Sequence, residues 1–149
     1  MNQSERRRYL IQELLNEQKE YCNYSIPEDP QGQKDLLRGL LNVRAPKILS
    51  REFLKIQDEY LKEETEKKGI TELADLTPVE LGIYLWQGDI TTLRCDAIVN
   101  AANSGMTGCY APNHKCIDNC IHTFAGAQLR YECAQMMKAQ GHEEPTGQA

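Results

Sequence analysis

Residues 108–122, GCYAPNHKCIDNCIH, concentrate side chains that bind metals or form disulfides. Three cysteines and two histidines lie in this short stretch, directly after the asparagine-rich turn NAANSG. Thiolates and imidazoles are preferred zinc ligands in proteins. A disulfide cluster and the start of an ordinary buried helix are equally open interpretations of the letters alone. Other features of the sequence are needed to choose among a metal site, a disulfide cluster and a buried helix.

A second set of polar side chains follows two apolar runs. Asp89 lies in WQGDIT, and Asn100 and Asn103 lie in DAIVNAAN. A carboxylate at the end of a strand accepts hydrogen bonds from a ligand amine or hydroxyl, and open α/β folds bind ligands at that edge. Two amides separated by alanines offer donors and acceptors where a ligand can approach the backbone. The alternative in each case is turn chemistry, an Asx-turn with Thr91 for the aspartate.

Composition and net charge exclude some classes of binding partner. The chain has 149 residues, 40% hydrophobic and 26% charged, with a net charge of −5. This balance is typical of a globular protein and argues against a nucleic-acid binder with a basic face. It leaves room for a small anionic ligand held by backbone N–H groups. No apolar run approaches the roughly 20 residues of a membrane span, and the start lacks the apolar segment of a secretory signal.

We therefore predict a cytoplasmic protein. In that compartment cysteines stay reduced, so a cluster of them indicates metal ligands or core residues rather than bridges. The three cysteines outside the cluster are predicted to be small buried residues; they are Cys22, Cys95 and Cys133.

Helices and strands must position these groups. Apolar residues at helical spacing predict three helices, over 4–21, 34–44 and 51–69. Ser4 and Ser50 are the predicted N-caps of the first and third helices, and Gly69 is predicted to end the third. The β-branched and aromatic runs 81–90 and 96–103 predict buried strands. A further helix is predicted from about Lys115 to Gln140. The chain therefore divides into a helical N-terminal part, 1–75, and a strand–strand–helix part, 76–149.

The combination of GDIT and DAIVNAAN resembles the macrodomain family, which binds ADP-ribose, because the family's first two core strands characteristically end this way. The resemblance implies an α/β fold, with a macrodomain-like mixed sheet and flanking helices, after an N-terminal helical extension. It assigns Asp89 to the adenine, with Ile90 beside it. It assigns Asn103 to the distal ribose, and Asn100 to support of the loop.

At 108–122 many macrodomains carry a run of glycines instead. The departure resembles the zinc-dependent macrodomains, which hydrolyse ADP-ribose from modified proteins. By this resemblance Cys109, His114 and Cys116 are the ligands of a Zn²⁺ cofactor. The N-terminal helices also look like the helical extension of that subgroup.

The chemistry of these three ligands is consistent with that assignment. Two thiolates and a neutral imidazole balance the charge of zinc, and three protein ligands leave a fourth position open, as in catalytic sites. Two alternatives stay open: Cys120 shares a helical face with Cys116 and would complete a closed structural site, or the stretch holds no metal. His122 is interpreted as a packed, hydrogen-bonded side chain rather than a ligand.

Asp118 lies in the first turn of the predicted helix. A carboxylate there is favourable simply because the helix N-terminus is positive. The functional alternative is a base or an orienting group beside the distal ribose, which makes Asp118 and Asn103 the predicted catalytic residues. The N–H groups of Ile117 and Asp118 form a helix start that is suited to a phosphate.

Two functions follow, with ADP-ribose or an ADP-ribosylated protein as the partner and neither nucleic acid nor a membrane. The first is a zinc-dependent hydrolase; the second is a binding module in which zinc only fixes the loop. Macrodomains continue past the point where this chain ends, with further strands and a second glycine-rich loop around the pyrophosphate. We therefore expect an incomplete sheet, and weak activity unless self-association or a completing fragment supplies the remainder.

Overall fold

The computed structural model of the protein describes residues 1–21 and 23–148. Within that part of the chain there are five α-helices and four short strands. The helices are α1 (Gln3–Asn16), α2 (Pro30–Val43), α3 (Arg51–Lys68), α4 (Ile117–Ala125) and α5 (Ala127–Gln140). The strands are β1 (Thr71–Glu72), β2 (Pro78–Glu80), β3 (Ile83–Tyr84) and β4 (Leu93–Arg94). None of the described helices is long and apolar enough to cross a bilayer.

The main hydrophobic core lies among the three N-terminal helices. It is built from the apolar stripes that the sequence predicts, because residues three and four apart share one helical face. Its buried members are Leu10, Ile11, Leu14, Leu15, Leu37, Leu40, Leu41, Phe53, Ile56, Tyr60 and Leu61. Tyr9, Leu36 and Leu54, which helical spacing also places on these stripes, are only half-buried.

The start of α3 at a Ser50 cap and its end at Gly69 are confirmed, but the first two helices begin elsewhere than predicted. Asn2, rather than Ser4, caps α1: its Oδ1 accepts from the Glu5 N–H at 3.0 Å, and the Glu5 carboxylate accepts from the Asn2 N–H at 2.8 Å. Helix α1 ends at Asn16, short of residue 21. Helix α2 begins four residues early, since Pro30 suits a first helical position and Asp29 caps it.

The mixed α/β class is confirmed, since β1 and β4 pair in parallel and β2 and β3 pair antiparallel. The two long buried strands predicted over 81–90 and 96–103 are wrong. Only Ile83–Tyr84 is a strand in the first run, and the second run forms no strand. Leu81 and Val99 are 103% and 89% exposed. Two-stranded pairs leave apolar faces uncovered, so most apolar side chains of these runs stay accessible.

The single C-terminal helix predicted to Gln140 is divided at Gly126, whose φ is +92°. The buried side chain of Gln57 explains the break. Its Oε1 accepts from the Ala127 N–H at 2.9 Å, and its Nε2 donates to Gln128 Oε1 at 2.6 Å. A Cβ at position 126 would lie 2.5 Å from Gln57 Nε2. Glycine therefore lets the chain turn around this side chain before α5 starts.

The burial of the cysteines outside the cluster depends on whether their segment packs against a helix. Cys95 is exposed, so its prediction as a buried residue is wrong; it lies in the uncovered stretch after β4. Cys133 is half-buried on α5, and burial raises the pKa of its thiol. Cys22 lies outside the described residues.

Candidate metal centre

The structure brings Cys109, His114 and Cys116 together. Their ligand atoms all lie within 4.8 Å of one another, and Cys109 Sγ is 3.5 Å from His114 Nδ1. A tetrahedral zinc with bonds of about 2.3 Å to sulfur and about 2.0–2.1 Å to nitrogen holds these atoms roughly 3.6 Å apart. The spacing and the donor set therefore both fit zinc. His114 is exposed while the two cysteines are half-buried, so the cluster opens towards solvent.

Backbone conformations that few residues adopt shape the loop that carries these ligands. Gly108 has a φ of +85°, and a Cβ there would lie 2.7 Å from the buried ring of His122. Asn113, at φ +56°, adopts the left-handed conformation that asparagine tolerates. The His114 N–H donates to the Ala111 carbonyl at 3.2 Å. The chain thus reverses between the two cysteines and presents the histidine at the turn.

Cys116 joins this loop to helix α4. It is the N-cap residue, and its Sγ accepts from the Asn119 N–H at 3.4 Å, which orients the sulfur. Cys120, one turn later, lies outside the group of three ligand atoms. Its Sγ instead accepts from Arg38 Nη2 at 3.4 Å. This arrangement favours a three-ligand site with a free position over the closed four-ligand alternative.

Two polar side chains hold the first half of the loop. Asn119, fully buried on α4, donates from Nδ2 to the Ala111 carbonyl at 3.0 Å and to the Cys109 carbonyl at 3.4 Å. Arg130 of α5 donates to the Cys109 carbonyl at 3.3 Å, and its guanidinium lies 4.2 Å from the ring centroid of Tyr110. The position of Cys109 therefore depends on both C-terminal helices.

Arg130 also ties the loop to the end of helix α2. Its Nη1 donates to the carbonyls of Leu41, Asn42 and Arg44 at 3.2, 2.6 and 2.9 Å. Carbonyls at the end of a helix have no partner within the helix, so a buried guanidinium satisfies them. One side chain therefore connects the N-terminal helices to the candidate metal centre.

Asn100 and Asp118 meet beside the cluster. Asn100 Nδ2 donates to Asp118 Oδ1 at 2.8 Å, and His122 Nε2 lies 3.6 Å from the same oxygen. Asp118 and His122 are buried. Burial lowers the pKa of His122, and the positive charge of Arg130 lowers it further, while the Asp118 carboxylate opposes both. The imidazole is therefore neutral at neutral pH.

Asn103 adopts the turn chemistry that was one of its two interpretations. Its side chain is exposed; Nδ2 donates to the Gly108 carbonyl at 3.2 Å, and Oδ1 accepts from the Gly105 N–H at 3.0 Å. These bonds hold the turn that leads into the loop 108–116. Ile117, the first residue of α4, is 37% exposed, so the helix start is accessible.

Asp89 caps a short 3-10 turn, Ile90–Thr92, as the Asx-turn alternative predicts. Its Oδ1 accepts from the Thr91 N–H at 3.0 Å and from Thr91 Oγ1 at 2.6 Å, and Lys68 Nζ lies 3.3 Å from Oδ2. Burial raises the pKa of Asp89, but the bonds from Thr91 and Lys68 outweigh it and leave the pKa below its usual value. No hydrogen bond of the described residues joins Asp89 to the loop 108–116.

Sequence reasoning missed the polar residues that support the loop. Arg38 and Asn42 contact it from α2, and Asn119 and Arg130 contact it from α4 and α5. A signal was present for the first two, since they lie four residues apart among the leucines of α2. Polar side chains in an apolar stripe indicate buried hydrogen bonds.

Comparison with known proteins assigns relatives to this chain. Residues 99–149 match the family model described as Macro domain. The chain is 61% identical to a protein of Treponema medium named "Protein-ADP-ribose hydrolase", over 100% of this chain and 59% of the relative. It is 44% identical to a protein of Staphylococcus aureus (strain MRSA252) with the same name, over 95% of this chain and 53% of the relative.

This chain covers a smaller share of a third relative. The chain is 44% identical to a "Probable bifunctional ADP-ribose hydrolase/ADP-ribosyltransferase" of Fusarium oxysporum f. sp. cubense, over 76% of this chain and 21% of that protein. Of the first two relatives, by contrast, the chain spans between about half and three fifths of the length.

Proposed function

We propose that this chain serves in the zinc-dependent removal of ADP-ribose from modified proteins. The proposal is supported by its similarity to proteins named protein-ADP-ribose hydrolases and by the match of residues 99–149 to the macro domain family. The observation that carries the zinc part of the proposal is the meeting of Cys109, His114 and Cys116 within 4.8 Å. Three ligands on an accessible loop leave room for a substrate, as catalytic zinc requires.

Zinc held by these three residues would either polarise the scissile linkage or acidify the attacking water. The protein groups around it orient the sugar. In this proposal the buried Asp118 carboxylate, already held by Asn100, accepts a hydrogen bond from the distal ribose or acts as a base. Its position beside the loop, within one turn of the Cys116 cap, supports that role.

Other groups would bind the remainder of ADP-ribose. We assign the exposed amide of Asn103 to the distal ribose, and the N–H groups of Ile117 and Asp118 to a phosphate at the start of α4. Asp89, ionised at neutral pH, would accept from the adenine amine, with Ile90 alongside it. The exposure of Asn103 and Ile117 and the lowered pKa of Asp89 support these assignments.

The thiolates of this site require reduced cysteines, so we propose a reducing compartment such as the cytoplasm. The partner is an ADP-ribosylated protein, which water cleaves into the free protein and ADP-ribose.

The experiment measures zinc content and release of ADP-ribose from a modified protein, using this chain with and without a chelator. We expect bound zinc, release that the chelator stops, and recovery when zinc is added back. Cys116→Ala should behave like the chelated protein, because it removes a ligand. Cys95→Ala is the matched control, since it removes an exposed thiol outside the cluster.

Undiminished release by the metal-free protein would eliminate the zinc mechanism. Binding of both zinc and ADP-ribose without any release would support the alternative, a binding module in which zinc stabilises the loop.

A further inference from the structure

Helix α2 contributes no ligand to the metal centre, yet its Arg38 side chain contacts the loop beside two ligands. Arg38 Nη2 donates to the His114 carbonyl at 2.7 Å, to Asn119 Oδ1 at 3.0 Å and to Cys120 Sγ at 3.4 Å. The His114 carbonyl belongs to the imidazole ligand. Asn119 is the residue whose N–H contacts the Cys116 sulfur. One guanidinium group therefore connects the two segments that supply the second and third ligands.

Asn42 makes the equivalent connection one helical turn later. It is 1% exposed; its Oδ1 accepts from the Asn113 N–H at 2.9 Å, and its Nδ2 donates to Thr123 Oγ1 at 2.9 Å. Asn113 precedes His114 and has the left-handed backbone that reverses the loop. Thr123 in turn donates to the Asn119 carbonyl of α4 at 2.7 Å. Asn42 thus holds the loop and α4 at a set distance.

Gly39 lies between these two side chains on the same helix. A Cβ at position 39 would be 3.4 Å from Asn113 Nδ2 and 3.8 Å from Pro112 Cβ, so the backbone of α2 approaches the loop directly there. Arg38, Gly39 and Asn42 form one continuous contact with residues 112–114. We call this contact the α2 seat.

We propose that the α2 seat positions the metal-binding loop, so that the N-terminal helices set the zinc affinity of a centre to which they give no ligand. This inference rests on the proposed zinc site. A loop whose ligands are held before the metal arrives loses less conformational freedom on binding it, and outer hydrogen-bond partners orient the ligating groups. Arg38 and Asn42 are positioning residues in this scheme.

Arg38→Ala and Arg38→Lys together separate the positioning role of Arg38 from its charge. If Arg38 acted only as a positive charge, Arg38→Lys would bind zinc as tightly as the wild type. If Arg38 positions the loop, both variants bind zinc more weakly. Changes to outer partners typically cost about 10-fold to 100-fold in metal affinity, and we expect Arg38→Ala to fall in that range.

The test measures the zinc dissociation constant of the intact chain by competition with a chromogenic chelator. Arg38→Lys keeps the charge, but its side chain ends one bond closer to the backbone than Nη2, the atom that makes all three hydrogen bonds. Its zinc affinity should therefore lie between those of wild type and Arg38→Ala. Asn42→Ala should weaken binding by a similar factor. The matched control is Arg8→Ala, which removes an exposed arginine of α1. Circular dichroism of each metal-free variant verifies that it is folded.

Weaker zinc binding by the Arg38 variants, with Arg8→Ala unchanged, supports the proposal. Equal or tighter binding by a folded Arg38→Ala overturns it and leaves the zinc site itself intact. Should Asn42→Ala not fold, the two Arg38 variants decide the matter, because that side chain is only half-buried. A wild-type chain that binds no zinc overturns both this inference and the proposed function.

Discussion

The contact between Gly108 and His122 leads to a quantitative prediction for Gly108→Ala. Position 108 has a φ of +85°, and a Cβ there would lie 2.7 Å from atoms of the buried imidazole. A left-handed backbone costs a non-glycine residue about 1–2 kcal/mol, and crowding a packed interior costs about 1–3 kcal/mol. We therefore expect the free energy of unfolding to fall by roughly 2–5 kcal/mol.

Urea denaturation of the metal-free chain measures this loss, and Gly82→Ala is its matched control. Gly82 has a φ of +75°, but nothing lies within 4 Å of the point that its Cβ would occupy. Only the backbone cost of about 1–2 kcal/mol therefore applies there. A second arm places Gly108→Ala in a His122→Ala background, where the crowding disappears and the cost should shrink to the control value. Equal losses at positions 108 and 82, unchanged by His122→Ala, would refute the explanation from ring contact.

Two further predictions concern pH and helix capping. Burial lowers the pKa of His122 in the folded state, and Arg130 lowers it further, while Asp118 opposes both. Below about pH 6.5 the unfolded chain therefore binds more protons than the folded chain. Stability should be full above that pH and fall as the solution is acidified, and His122→Asn should reduce this slope in urea denaturation at several pH values. Gln57→Leu should cost about 1–3 kcal/mol, since it leaves the half-buried Ala127 N–H without its acceptor. A circular-dichroism melt unchanged by this substitution would contradict the capping role.

The N-terminal helices show how much local pattern can determine. Leucines at helical spacing predicted the buried stripes of α1 and α2, because periodicity alone sets which residues share a face. The caps were harder to predict. Ser50 was identified correctly, whereas Asn2 was missed because Ser4 is an equally good capping residue by type. The backbone conformation decides which of two nearby capping residues is the N-cap, and that conformation cannot be read from residue types alone.

The strand segments show the opposite limit. Runs such as 81–90 have the composition of buried strands, yet a strand is buried only when neighbouring strands and covering helices are present. Within the described residues, 81–90 pairs over two residues and 96–103 over none. Composition records a preference for a sheet, and the partners decide whether that preference is satisfied.

The candidate metal centre combines both situations. The resemblance to zinc-dependent macrodomains selected Cys109, His114 and Cys116 as predicted ligands, and the fold brings their ligand atoms within 4.8 Å of one another. The residues that support this loop are distant in sequence. Arg38 donates to the His114 carbonyl, 76 residues away, and to the Asn119 side chain, 81 residues away. No local pattern reports contacts over such separations.

By itself, the sequence determined the helical stripes and the concentration of thiol and imidazole donors in the loop 108–116, because both depend on residue types within a few positions of one another. Only the tertiary structure decided that Cys120 faces Arg38 instead of the ligand cluster, that Gln57 divides the last helix, and that α2 holds the loop. Those outcomes depend on which distant side chains meet after packing, and packing is a property of the whole folded chain.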